Sequence, residues 1–245
     1  MKFRFIALAI SFCCAGIALS LFPSQTTNSQ KKNLTDDSLS QPERDLMNEI
    51  NQCRAHPQLY ASYLENLKPL FRGKEYKPEG KDGMTTQEGW GAVEDAIKFL
   101  RAAKPLGPLG PSHGLYLAAA SHVKDQSSTG TTGHRGADNT LIEQRVKPFG
   151  IWQGAIGENL TYGAESARER LLTWLIDDGV PSRGHRQRLL SNDYKLAGIS
   201  CGPHPEYGAM CVLTLAGSFT EAQNSSQFGT TMKSTKSATT KSRKM

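Results

Sequence analysis

The 245-residue chain contains no Gly-x-Ser-x-Gly elbow, no His-Glu-x-x-His pair and no glycine-rich phosphate loop. The serine-hydrolase, zinc-protease and nucleotide-binding signatures are therefore all unfilled. There is no heptad run and no internal repeat, which excludes coiled-coil assembly. Cysteine is scarce, at five residues, two of which (Cys13 and Cys14) lie in the first apolar stretch. A net positive charge is missing from the middle of the chain. Of the formal +6, Lys2 and Arg4 supply two charges and Lys233, Lys236, Lys241, Arg243 and Lys244 supply five, leaving −1 for the body between them. A net positive charge confined to the ends argues against a DNA-reading surface and against a nucleic-acid partner. It suits a solubilising tail, or loose attraction to anionic cell-surface polymers or phospholipid.

Lys2 and Arg4 precede an uncharged apolar run from Phe5 to Phe22, and the small pair Ala18 and Ser20 fits cleavage after Ser20. Residues 1–20 are expected to be a secretory signal peptide, or an uncleaved N-terminal anchor, since the run is about the length of a short membrane span. Phe12 before Cys13 leaves no lipobox. Residues 21–40 are polar and read as a disordered linker, and 222–245 as a disordered basic tail. One domain, 41–221, remains, large enough for a single core.

Ser40-Gln41-Pro42-Glu43 is a capping box with proline at the first helical position, followed by Leu46, Met47, Ile50 and Cys53 at helical spacing. The helix is expected to break at His56-Pro57 and resume through Tyr60, Leu64 and Leu67. Lys68 to Gly89 reads as loop, with helices over 90–103 and 111–127. Asp138-Asn139 is expected to cap a short helix to Val146, and 151–160 to be extended, with Glu158 at the strand end or in the turn after it. A helix begun near Ala164 carries Leu171, Trp174 and Leu175 and closes at Asp177, before Gly179. His185 opens a helical turn, and strands follow over 196–202 and 209–218. The pattern is that of an α+β fold. Cys201 and Cys211 sit opposite each other across the last hairpin, where a disulfide fits an oxidising compartment. Cys53 reads as a buried hydrophobe.

The chemistry lies in four motifs: Gly133-His134-Arg135-Gly136, Gly157-Glu158-Asn159, Trp174-Leu175-Ile176-Asp177 and Gly184-His185-Arg186. Two imidazoles and two carboxylates suit a divalent metal, an acid–base pair or a buried polar network. No nucleophile accompanies them. His122 reads as a packed or half-exposed residue, His56, His113 and His204 as solvent-facing, and Trp90, Trp152 and Trp174 as core.

The order and spacing of these motifs, with Asn48-Glu49-Ile50-Asn51-Gln52-Cys53-Arg54 and Ala197-Gly198-Ile199, resemble the CAP superfamily (cysteine-rich secretory, antigen 5 and pathogenesis-related 1 proteins; SCP domain), in its secreted bacterial branch. The resemblance covers roughly 46–218. It implies an α-β-α sandwich with a small central, mainly antiparallel sheet, and a cleft lined by His134, Glu158, His185 and an aspartate, either Asp177 or Asp178. The 179–183 stretch is longer than the connection many members use and alters the rim. The function so implied is a secreted or extracytoplasmic binding module whose cleft takes a small apolar, lipid-like or peptide ligand, or zinc or another divalent cation at His134 and His185. The alternative is a metal-dependent hydrolase (protease or esterase) with His134 and His185 on the ion and Glu158 as general base.

Overall fold

A computed structural model describes residues 39–163 and 166–223. The expected leader, the linker up to residue 38 and the tail from residue 224 lie outside the described residues.

Helix α1 (Gln41–Ala55) starts where the capping box predicts. Glu43 accepts the Ser40 amide at 2.7 Å with one oxygen and the distant Cys201 amide at 2.9 Å with the other. A cap written locally thus also ties the helix to a strand. The chain breaks at His56, and Pro57 opens α2 (Pro57–Glu65). Beyond it, the stretch expected to be loop holds a 3₁₀ turn and three two-residue strands, β1 (Phe71–Arg72), β2 (Glu75–Tyr76) and β3 (Met84–Thr85), paired in that order. We refer to residues 71–89 as the flap.

Helices α3 (Trp90–Ala102), α4 (His113–Thr129) and α5 (Ile142–Val146) follow. Two expected starts move. The third long helix begins at His113 instead of Pro111, because β4 (Gly110–Pro111) pairs in parallel with Leu196–Ala197 and Ser112 takes over as cap, its hydroxyl accepting the Leu115 amide at 3.3 Å. Asp138 does not cap α5. Its Oδ1 instead closes a turn, accepting the Thr140 amide and hydroxyl at 3.0 and 2.6 Å, with Asn139 at φ +65°. A short polar side chain next to a left-handed residue satisfies the nearer backbone donor first.

The remaining elements are β5 (Gly150–Tyr162), α6 (Ala167–Ile176), α7 (Gly184–Leu189), β6 (Leu196–His204) and β7 (Gly208–Glu221). The main sheet has the spatial order β4-β6-β7-β5, antiparallel except at β4–β6. Odd positions of β7 (Cys211, Leu213, Leu215) face a core shared with α1, α2, α3 and α6, while even positions (Met210, Val212, Ala216) face α4 and α5. The period of two thus divides the hydrophobic residues between two helical layers, giving an α-β-α sandwich. Gly198 is what lets α4 close on the sheet: a Cβ there would lie 1.9 Å from the Tyr116 amide nitrogen.

Two histidines expected to face solvent are buried. His113 is 9% exposed at the start of α4, and His204 is 2% exposed, its ring against Tyr162 and Tyr207. The proline and glycine turns beside them fold inward onto helix and hairpin. Cys201 and Cys211, direct partners in the β6–β7 register, form a disulfide, and Cys53 is buried and free. Among the described residues no helix is long and apolar enough to cross a membrane.

Candidate functional site

Strand β5 is an edge strand, and Glu158 lies inside it, paired with Thr214, rather than at its end. Alternation sends Glu158 toward the α4–α5 layer and its neighbours Gly157 and Asn159 toward α6 and α7. The edge is closed from the α6 side, where the Trp174 indole donates to the Leu160 carbonyl at 2.7 Å.

On the α4–α5 side, Glu158 Oε1 lies 3.0 Å from His134 Nδ1 and Oε2 accepts Arg145 Nη2 at 2.7 Å. Arg145 also donates to the His134 and Thr140 carbonyls, both at 2.9 Å, clamping the loop that carries His134. The Gly133 amide donates to the Tyr162 hydroxyl at 2.8 Å, which donates to Gln126 Oε1 at 2.8 Å. The Gly133 carbonyl receives Gln126 Nε2 at 2.7 Å and His122 Nε2 at 2.9 Å. Since a carbonyl only accepts, His122 carries its proton on Nε2, and its buried Nδ1 is left with no hydrogen-bond partner among the described residues. Burial pushes the His122 pKa down, and the nearby Glu158 charge only partly offsets this. For Glu158 burial pushes upward, but the His134 hydrogen bond and the Arg145 charge outweigh it and hold the carboxyl below its ordinary value.

On the other side, Asp177 ends α6 in the left-handed conformation at φ +57°. Its Oδ1 meets His185 Nδ1, and its Oδ2 accepts the His185 and Arg186 amides at 2.9 and 3.2 Å. Asn159 donates to the His185 carbonyl at 3.1 Å, fixing α7 to β5. Asp178 points elsewhere, accepting the Gln87 and Glu88 amides of the flap at 2.6 and 2.8 Å. Of the two aspartates, Asp177 is the one that touches His185. The 179–183 connection also meets the flap: Arg183, at φ +51°, pairs with Glu88 at 2.6 Å.

His134 and His185 thus come round opposite sides of β5 and meet with ring centroids 6.2 Å apart and planes inclined by 26°. Their side chains are 46% and 19% exposed, against 1% for both carboxylates. A ligand meets imidazole first, and each ring, fixed through Nδ1 by a carboxylate, presents Nε2. No hydroxyl or thiol is bonded to either ring among the described residues. Burial raises the Cys53 thiol to about 12, so it supplies no nucleophile either.

Beside His185, between the flap and α6, lies a cavity of about 550 Å³. Its apolar wall includes Phe71, Tyr76, Met84, Leu172, Ile176 and Val180. At the mouth Lys81 of the flap bonds Glu169 of α6 at 2.7 Å. Neither this cavity nor the roles of Arg145, Tyr162 and Gln126 were evident in the sequence. The one local signal was the presence of Phe71, Tyr76 and Met84 among the charged and glycine residues of 71–84, since a fully solvated loop has no need of large apolar side chains.

As a metal site the residues fit only in part. Among the described residues no group of three or more His, Cys, Asp or Glu side chains is placed to share an ion. The two Nε2 atoms are one donor short of the three protein ligands usual for catalytic zinc, with the carboxylates standing behind them.

The profile of the cysteine-rich secretory protein family, CAP, matches residues 47–215. Solved structures similar to the chain include an outer surface protein of Borrelia burgdorferi, 19% identical with a TM-score of 0.38, covering 51% of this chain and 86% of that one. Another is an extracellular protein containing an SCP domain from Bacillus anthracis, 20% identical with a TM-score of 0.38, covering 51% of this chain. The match spans 38% of the Bacillus protein's length. The search of curated proteins returned no match.

Proposed function

Since the chain belongs to the cysteine-rich secretory protein (CAP) family, we propose that it is an extracytoplasmic binding module whose ligand occupies the flap cavity and reaches the His134–His185 pair. The observation that carries this reading is the apolar cavity of about 550 Å³ opening beside His185, whose ring lies 6.2 Å from that of His134, with no hydroxyl or thiol bonded to either imidazole among the described residues. Cavities of this size with apolar walls and a few convergent polar groups are the usual form of small-ligand sites. A small apolar or lipid-like molecule, or an apolar peptide side chain, suits it. The Cys201–Cys211 disulfide supports an oxidising compartment. The basic tail would add attraction to anionic surface polymers.

A second reading rests on the orientation of the imidazoles. With Nδ1 turned to Glu158 and Asp177, both Nε2 atoms are open to a divalent cation such as zinc, which would polarise a bound oxygen. Two donors favour loose, exchangeable binding. Glu158, the general base of the hydrolytic alternative, is walled in by His134 and Arg145, so water meets His134 before it.

The test is calorimetry of the purified protein with zinc and with apolar ligands, alongside hydrolysis assays on peptide and ester libraries. Ligand binding without turnover supports the module. Stoichiometric zinc with turnover abolished in both His134→Ala and His185→Ala would overturn it in favour of the hydrolase.

A further inference from the structure

The flap cavity is apolar inside and acidic at its rim. Asp82, Glu169, Asp177 and Asp178 border it, against one ammonium, Lys81, and the His185 imidazole. The four carboxylates are not equally compensated. Glu169 is paired with Lys81. Asp177 is engaged by His185 and two amides. Asp178 is held by two backbone amides, which satisfy its lone pairs but cancel no charge. Asp82 is exposed and forms no ion pair among the described residues.

A net negative rim over low-dielectric walls focuses a negative potential into the opening, where it raises the local concentration of cations. Two aromatic rings on the wall, Phe71 and Tyr76, with centroids 4.9 Å apart and planes inclined by 36°, add a surface toward which ammonium and guanidinium groups are drawn. The Lys81–Glu169 pair spans the mouth with both side chains about half exposed, at 49% and 45%. An exposed pair of this kind is weak enough for an incoming cation to exchange with Lys81 on Glu169.

Resting on the binding-module reading, we infer that the flap cavity selects a ligand with an apolar body and a positively charged group, an amphiphilic amine or guanidine. The body lies against Phe71, Met84 and Ile176, and the charge sits at the rim between Asp82, Glu169 and Asp178. The charge complementarity of rim and ligand decides between this occupant and a fatty acid of the same length, whose carboxylate would face Asp82, Glu169 and Asp178.

Three ten-carbon probes at submicellar concentration test this by calorimetry on the purified protein: decylammonium, decanol and decanoate. Decylammonium is expected to bind roughly tenfold more tightly than decanoate, with the preference shrinking as salt is raised. Asp82→Asn and Glu169→Gln should each weaken decylammonium by roughly two- to fivefold while leaving decanol unchanged. Decanol binding with decanoate as tight as decylammonium would overturn the inference and leave the binding module standing. Indifference of decylammonium to both substitutions would do the same. If none of the probes binds, both readings fail.

Discussion

Arg145 and Glu158 face each other at 2.7 Å with 7% and 1% of their side chains exposed, an ion pair sealed beneath the loop that carries His134. Such a pair contributes little net stability over an apolar one, but removing one member strands the other charge in a poor solvent. Glu158 therefore has a structural duty as well as a place behind His134. Glu158→Gln is expected to cost about 3–5 kcal/mol, since Arg145 keeps its charge and loses its counter-charge. In a domain of this size that corresponds to a melting point lower by roughly 10 °C. Zinc affinity, read by calorimetry, should survive if Glu158 only orients His134. An unchanged melting temperature with lost metal affinity would make it a ligand.

Acid should act through the same pair. The folded-state pKa of Glu158 lies below the ordinary 4.5, so its contribution is complete above that value and is lost as pH falls through the folded value. His122, also depressed but from 6.5, contributes fully above 6.5 and loses that contribution as pH falls toward its folded value. Urea unfolding between pH 7 and 3 should therefore show stability falling first below about 6.5 and again below about 4.5. In Glu158→Gln the second decline should be shallower. A flat profile down to pH 4 would show that neither group is perturbed.

The neighbouring aspartates should separate by the amides they hold. Asp177→Ala should speed hydrogen exchange at His185 and Arg186, whereas Asp178→Ala should speed it at Gln87 and Glu88 in the flap. Asp177→Ala should also cost more stability, about 2 kcal/mol, because alanine tolerates the left-handed conformation poorly and the carboxylate caps two amides. Equal effects on both amide pairs would mean that the two carboxylates do not act separately.

Mass spectrometry without reductant should find Cys201 joined to Cys211, with Cys53 free. The bridge joins residues with a sequence separation of 10, so its reduction should cost about 2–3 kcal/mol by the chain-entropy argument. Two free thiols at these positions would remove the support for an oxidising compartment.

Gly198→Ala should destabilise severely, by about 3 kcal/mol or more, since the added carbon meets the backbone of α4 and no flexible side chain can yield. Thermal unfolding checks this. A melting point within about 2 °C of the parent would show that α4 can move away from β6.

The sequence by itself determined what is local or periodic. It placed the capping box at Ser40, the break at Pro57, the strands over 196–202 and 209–218 and the hairpin that opposes Cys201 to Cys211, because each is set by residues within one or two turns of chain. The order of the motifs named the family. Tertiary structure decided what depends on residues far apart in sequence. Asp177 rather than Asp178 meets His185, because the left-handed end of α6 aims one carboxylate at α7 and leaves the next to the flap. His113 and His204 are buried because helix and hairpin close over their turns. Glu158 gains its buried partner from Arg145, on a helix whose start the sequence misjudged. The acidic rim exists only where the flap and α6 come together. No local rule sets which charge faces which, since that is fixed by how two layers of helices pack on the edge of one sheet.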